Sequence, residues 1–374
     1  MKRIGITCYP TLGGSGVIAT ELGKMLAEQG HEIHFITSSM PFRLDRIYPN
    51  IYYHEVEISN YPVFQYPPYD LALAAKMAEV VDREHIEILH VHYAMPHAIS
   101  AILARDLADH PVKVVTTLHG TDITVLGFDP TFKKMISHGI EQSDAVTAVS
   151  NSLVKQTKEK LGVKKDISVI YNFVNEQEYY KRNLNHIKKQ YNIKSDEKVV
   201  IHISNFRKVK RVEDVIHTFS KIQSKIKAKL LLVGDGPETS TAFQLVKKLG
   251  LEQYVLFLGK QKNISELLSI SDLKLLLSEQ ESFGVVLLEA MTCKVPCIGT
   301  RVGGIPEVVE HGKTGYLVEL GDITQAAAYG IELLTNEEKW QAFSDDALVF
   351  AKTNFHSEHI LKQYNELYDD VLSR

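Results

Sequence analysis

Short apolar runs alternate with helix-length segments from the first residues of the chain, and the alternation restarts at Lys198. In the first half the expected strands are 3–8, 32–37, 88–92, 112–118 and 145–149, with a helix over about 16–29 after the first. In the second half they are 199–204, 229–233, 255–258, 273–277, 296–299 and 315–318, with helices including 212–226 and 240–249. Strands that read as continuous apolar runs between helices belong to parallel sheets covered on both faces. Residues 171–195 are polar, tyrosine-rich and poor in apolar periodicity, so the interdomain connection is expected there. At 374 residues the chain exceeds one ordinary core. The expected fold is α/β: two Rossmann-like, doubly wound parallel-sheet domains, residues 1–170 and 171–355, facing a central cleft. The tail 356–374 reads as a further helix. Ligands of such sheets bind beyond the carboxyl ends of the strands, so the loops there carry the functional information.

Composition removes several function classes. A formal net charge of -4 is wrong for a general nucleic-acid surface. Three cysteines, Cys8, Cys293 and Cys297, make no disulfide framework and read as small buried thiols of a reducing compartment. No stretch approaches the ~20 apolar residues of a membrane span. The opening MKRIGITCYP lacks the apolar region of a signal peptide, so a cytoplasmic protein without a membrane partner is expected.

Four loops carry candidate chemistry. Gly13-Gly14-Ser15-Gly16 follows the first strand, where glycines admit a ligand close to the backbone and a helix N-terminus favours an anion. A nicotinamide site is the rival, but the pattern is not GxGxxG, and the second strand ends Thr37-Ser38-Ser39 without a ribose-binding carboxylate. A glycine turn with no ligand is the bland alternative. His119, in Thr117-Leu118-His119-Gly120-Thr121-Asp122, stands at the carboxyl end of a strand. A lone histidine there is commonly structural; His90 and His92 are weaker candidates. Asn205-Phe206-Arg207-Lys208-Val209-Lys210-Arg211 puts four cations in five positions after the first strand of the second half. Cations disfavour a helix N-terminus, so the cluster suits a diphosphate better than a solvated helix start. Glu281-Ser282-Phe283-Gly284-Val285-Val286-Leu287-Leu288-Glu289 frames a glycine turn and a helix start with two carboxylates. Backbone amides near Gly284 are then free for a phosphate, and each carboxylate can accept from vicinal hydroxyls.

Together the E-x7-E string, the glycine loop, the His119-Gly120 turn and the Arg/Lys cluster resemble the family 4 retaining glycosyltransferases along essentially the whole chain. That resemblance implies the GT-B architecture and a nucleotide-sugar donor held mainly by the second domain. It further implies that Glu281 and the backbone at Phe283, Gly284 and Val285 hold the sugar, and Glu289 the ribose. Arg207 and Lys210 face the diphosphate, with Gly14, Ser15, Gly16 and Asn205 also on the donor side. His119 lies near the reacting carbon, so the catalytic set is His119, Arg207, Lys210 and Glu281. One departure is that the family's arginine, five positions before the lysine, is Asn205 here; Arg207 or Lys208 takes its place. The strings Gly5 to Pro10, His31 to Thr37, Pro41-Phe42-Arg43, Tyr66 to Asp70, Thr117 to Leu126 and Ser204 to Arg211 carry a narrower likeness. They are similar to members that transfer N-acetylglucosamine from UDP-N-acetylglucosamine to the hydroxyl of L-malate in bacillithiol biosynthesis. On that likeness Ser15, Gly16, Arg43, Tyr93, Thr117 and Arg207 are the acceptor candidates. No aspartate-rich metal motif stands out, so neither a metal nor a cofactor is expected. Front-face displacement, with the leaving phosphate taking the acceptor proton, is the expected route, and a homo-oligomer is allowed. Another acceptor, a lipid-linked glycan or inositol phosphate, or a non-catalytic nucleotide-sugar sensor, remains the alternative.

Overall fold

Each strand run becomes a strand of one of two parallel sheets in the computed structural model, which describes residues 1–10, 14–41, 43–44, 46–58, 68–124, 127 and 129–374. Gly13, Phe42, Tyr66, Pro67, Val125 and Leu126, used above, lie outside the described residues. The chain divides into one unit of Met1–Asn172 with Glu358–Arg374 and a second of Phe173–Ser357.

The first unit runs β1 (Arg3–Thr7), α1 (Gly14–Glu28), β2 (Glu32–Thr37), β3 (Ile51–Glu55), α2 (Tyr69–Glu84), β4 (Ile88–His92), α3 (Ile99–Leu107) and β5 (Lys113–Leu118). It continues through α4 (Thr121–Thr124), α5 (Pro130–Gln142), β6 (Ala145–Ala148), α6 (Asn151–Leu161) and β7 (Ile167–Val169). Its seven strands lie in the order β3-β2-β1-β4-β5-β6-β7. The winding therefore reverses between β1 and β4, where a parallel sheet opens a crevice at its carboxyl edge. Leu89 and Val91 of β4 and Val114 of β5 pack with Met77, Val80 and Val81 of α2 in one fully buried cluster. Local signals fix the helix starts: Ser150 accepts from Leu153 N–H ahead of α6, and Asp129 from Thr131 N–H ahead of α5.

The second unit runs α7 (Asn185–Gln190), β8 (Lys198–Ile203), α8 (Val212–Gln223), β9 (Ala228–Val233), α9 (Thr239–Lys248), β10 (Val255–Gly259), α10 (Ile264–Ser269) and β11 (Leu273–Leu276). It continues through α11 (Val285–Thr292), β12 (Cys297–Thr300), α12 (Ile305–Val308), β13 (Gly315–Val318), α13 (Ile323–Thr335) and α14 (Glu337–Asn354). Its six strands lie in the order β10-β9-β8-β11-β12-β13, reversing between β8 and β11. Along β11, Leu273 and Leu275 join the core on one face, and Lys274 projects to the other. The final helix, α15 (Ser357–Ser373), puts Leu361, Tyr364, Tyr368 and Val371 into buried positions of the first unit.

Two strands escaped the sequence reading. β3 is an edge strand with no fully buried residue, and β7 has three residues, so neither makes an apolar run. Residues 171–195 are more than a connection: Phe173, Tyr179, Ile187 and Ile193 are buried, and 185–190 are helical. Among the described residues no helix is long and apolar enough to cross a membrane.

Candidate active site

At the carboxyl edge of the second unit's sheet, four loops are tied to one another. Val209 C=O accepts from Glu279 N–H at 2.8 Å, joining the loop after β8 to the loop after β11. Lys210 Nζ donates to Glu281 Oε2 at 2.6 Å across the same seam. Glu281 C=O accepts from Gly304 N–H at 3.0 Å, and Ser278 C=O accepts from Thr300 Oγ1 at 2.6 Å, adding the loop after β12. Phe206 C=O accepts from Glu238 N–H at 2.9 Å, adding the loop after β9. The candidate carboxylate and the candidate cations thus belong to one bonded structure.

Beneath it a buried chain of hydrogen bonds sets the first loop. His202 Nδ1–H donates to Leu275 C=O at 3.0 Å, so Nε2 carries the lone pair and accepts from Ser204 Oγ at 2.8 Å. Ser204 Oγ in turn accepts from Phe206 N–H at 3.3 Å. Burial, with Lys274 next, pushes the His202 imidazole down to about 3, which keeps it neutral. Phe206 is held at φ 27 with its ring in the core, and the chain then emerges at exposed Arg207 and Lys208. Among the described residues neither cation is paired with a carboxylate, so both charges can act on an anion. Asn205 is exposed beside them. Arg211 instead donates to Asp214 at 2.6 Å and reaches Glu279, so it braces the turn.

α11 begins without a side-chain cap, because its N-cap is Gly284 at φ 91. Only glycine adopts that conformation cheaply, and while Leu287 N–H donates to Gly284 C=O at 2.8 Å, the uncapped amides of Val285 and Val286 can serve an anion. Phe283 is buried against Phe355 with ring centroids 5.5 Å apart, so its backbone alone faces the loop. Glu289, one helical turn and a fraction along α11, is 8% exposed. Lys274 is fully buried on the same side of the sheet, and Nζ has no hydrogen-bond partner among the described residues. Burial pushes its ammonium down to about 7, against the opposing influence of Cys297 and Glu289.

In the first unit the carboxyl ends of β1, β4 and β5 gather a second set. Ser15, at the start of α1 beside exposed Gly14 and buried Gly16, accepts from Tyr93 Oη at 2.9 Å. Tyr93 lies 5.4 Å from His119 and 5.4 Å from Tyr9, measured between ring centroids. His119 is half-buried, and its Nε2 stands 2.8 Å from His92 Nδ1. Asp122 accepts from Ala94 N–H at 2.8 Å and Gly120 N–H at 3.2 Å, which fixes the loops after β4 and β5 together. Its burial raises the carboxyl to about 6 despite those bonds. Arg43 is half-buried in the loop after β2.

Thr117 is a correction. Its side chain is fully buried, with Oγ1 2.7 Å from His90 Nε2 and 2.7 Å from Thr147 Oγ1, and His90 Nδ1 is 2.7 Å from Tyr368 Oη on α15. Thr117 is still inside β5, whose residues 114–118 are buried on both faces, while His119, two positions on, lies past the strand end. The sequence reading also missed Gly303, Gly304 and Gly234. A Cβ on Gly303 would lie 1.8 Å from Glu281 O, one on Gly304 2.2 Å from Ser282 O, and one on Gly234 1.8 Å from Ser204 O. The signal available was Gly-Asp-Gly directly after β9 and a glycine pair two residues beyond β12.

Comparison with known proteins agrees with this arrangement. Residues 184–348 match the model for glycosyl transferases group 1, and residues 12–178 match the model for Glycosyltransferase Family 4. The N-acetyl-alpha-D-glucosaminyl L-malate synthase of Bacillus anthracis is 62% identical over 370 residues, covering 99% of this chain and 97% of that one. Anabaena HepE, solved in complex with UDP and glucose, superposes with a TM-score of 0.84 at 21% identity over 99% of this chain and 100% of that one. Sucrose-phosphate synthase from Thermosynechococcus elongatus does so with a TM-score of 0.83 at 20% identity over 100% of both chains. The two parallel-sheet units are those of the GT-B fold, and the chain belongs to the family 4 glycosyltransferases.

Proposed function

We propose that the protein transfers N-acetylglucosamine from UDP-N-acetylglucosamine to the hydroxyl of L-malate with retention of configuration, the first step of bacillithiol biosynthesis. The observation that carries this reading is the 62% identity, along 99% of the chain, to a synthase named for that product. In this proposal Arg207, with Lys208 beside it, and Lys210 take the diphosphate together with the first-turn amides of α11. Glu281 and the backbone at Phe283 and Gly284 hold the sugar, and Glu289 the ribose. His119 meets the sugar near the reacting carbon. For malate, the amides at Ser15 and Gly16 offer one carboxylate site, with Arg43 and Tyr93 adding contacts. The reaction is written as front-face displacement. The bond from the anomeric carbon to the β-phosphate oxygen breaks with its electron pair leaving on UDP. The malate hydroxyl oxygen bonds to that carbon from the same face, and its proton passes to the departing phosphate. Fixed cations and amides then supply the rate by stabilising charge on the leaving group.

Measuring UDP release with and without a panel of hydroxy acids, with mass detection of products, tests the reading. L-malate should stimulate release and appear in a product carrying one N-acetylhexosamine. Succinate, which lacks the hydroxyl, should inhibit without forming product. Release that ignores malate overturns the acceptor assignment.

A further inference from the structure

Four histidines, His90, His92, His97 and His119, gather at the ends of β4 and β5, and only His119 has any exposure. Their bonds determine which nitrogens carry protons. His97 Nδ1 lies against His92 C=O, which only accepts, so His97 is the Nδ1–H tautomer. Its Nε2 is then a buried lone pair, and that atom has no partner among the described residues. His92 Nε2 is likewise buried without a partner. A proton on that nitrogen would leave an unpaired N–H in the interior, the less tolerated of the two kinds of orphan. The proton therefore belongs on His92 Nδ1, which donates across 2.8 Å to His119 Nε2. His119 Nε2 is thereby an acceptor, and the His119 proton is on Nδ1. Among the described residues that Nδ1 has no partner, and its ring is the half-buried one of the four. Neutrality of the set is favoured throughout: burial pushes His90 and His119 down to about 3, His97 to about 4, and His92 well below its ordinary value.

We propose that His92 is a positioning residue, whose Nδ1–H locks His119 in the tautomer that presents a neutral Nδ1–H donor to the ligand. His119 then serves as a fixed hydrogen-bond donor to a sugar or phosphate oxygen and takes no proton. The consequence for the reaction rests on the proposed role of His119; the tautomer itself does not.

Nitrogen-15 NMR of the full-length chain with labelled histidine, assigned by loss of the His119 signals in His119→Ala, reads the tautomer directly. Wild type should show His119 protonated on Nδ1 and not on Nε2. The reverse pattern in wild type overturns the proposal whatever the variants do. His92→Phe should turn the His119 signal into a tautomer mixture and lower kcat roughly tenfold or more, with the donor KM little changed. His92→Asn, whose amide N–H stands where Nδ1–H stood, should restore the tautomer and most of kcat. A His119 signal unaltered in His92→Phe overturns the positioning role. A lost tautomer with unchanged kcat in both His92→Phe and His119→Ala instead removes His119 from the reaction and overturns the functional half.

Discussion

Lys210 Nζ stands 2.6 Å from Glu281 Oε2, and both side chains are mostly covered, at 19% and 16% exposure. The family likeness assigns one to a diphosphate and the other to a sugar, and the fold joins the two directly. A shared bond fixes both side chains in place, which lowers the ordering cost of binding. Removing either partner leaves a partly desolvated charge, so the single variants should each lose more than the pair jointly supplies. Lys210→Ala, Glu281→Ala and the double variant should therefore be non-additive in UDP-sugar affinity by about 0.5–3 kcal/mol. Calorimetric titration of the four proteins measures the coupling, and strict additivity denies that the pair acts as a unit.

Gly303 is the second point at which the donor loop is set. Its φ is +53, and a Cβ at this position would stand 1.8 Å from Glu281 O, which leaves room for glycine alone. Gly312, at φ +80 with nothing within 4 Å, is the control for the backbone cost by itself. Gly312→Ala should lose about 1–2 kcal/mol, the left-handed penalty of an L-residue. Gly303→Ala should lose more and weaken UDP-sugar binding roughly tenfold or more, since Glu281 must move. Urea unfolding and titration of both variants check this; equal losses with intact binding remove the clamp role.

These two relationships show where the sequence was legible. Strand runs such as 88–92 and the helix signals around them follow from local periodicity, and both sheets could be read from them. The E-x7-E string placed Glu281 in the loop after a strand and Glu289 more than a turn along the following helix, because spacing along one segment decides that. Contacts between segments were not readable. Nothing local says that Lys210 meets Glu281 seventy-one positions away, that His92 meets His119, or that the Gly303 loop closes on Glu281. Thr117 failed for a related reason: the end of β5 at Leu118, immediately before His119, is set by pairing with β4 and β6 and is not marked in the local sequence.

Activity should survive chelation. Arg207 and Lys208 stand exposed and unpaired with carboxylates among the described residues, and Lys210 is adjacent, so fixed cations are in place to neutralise a diphosphate. Turnover in EDTA should match turnover in magnesium, and Arg207→Ala should lower it roughly tenfold or more in both. Loss of activity in EDTA that magnesium or manganese restores would show that the cations do not suffice.

Lys274 gives the last prediction, a pH dependence with a defined sign. Its amine is fully buried without a hydrogen-bond partner among the described residues, and burial lowers it from 10.5 to about 7. The titratable groups that act on it are Cys297 on β12, Glu289 on α11, Glu281 after β11, Lys210 after β8 and His202 on β8. Between pH ~7 and ~10.5 the unfolded chain holds a proton on this lysine that the folded chain has released. Stability from this group therefore rises with pH across that window and is flat, at its least favourable, below it. Lys274→Met keeps the volume and removes the amine, so it should stabilise the fold at pH 7 by on the order of 2–5 kcal/mol. The gain should shrink steadily from pH ~7 toward ~10.5, because the cost of losing the proton on folding falls as the unfolded amine's own titration is approached. Urea unfolding of wild type and Lys274→Met at pH 6, 7, 8 and 9 measures the difference. A gain that stays constant over this range, or a destabilised variant at pH 7, means that Nζ keeps its proton in the folded protein through a partner that reaches it.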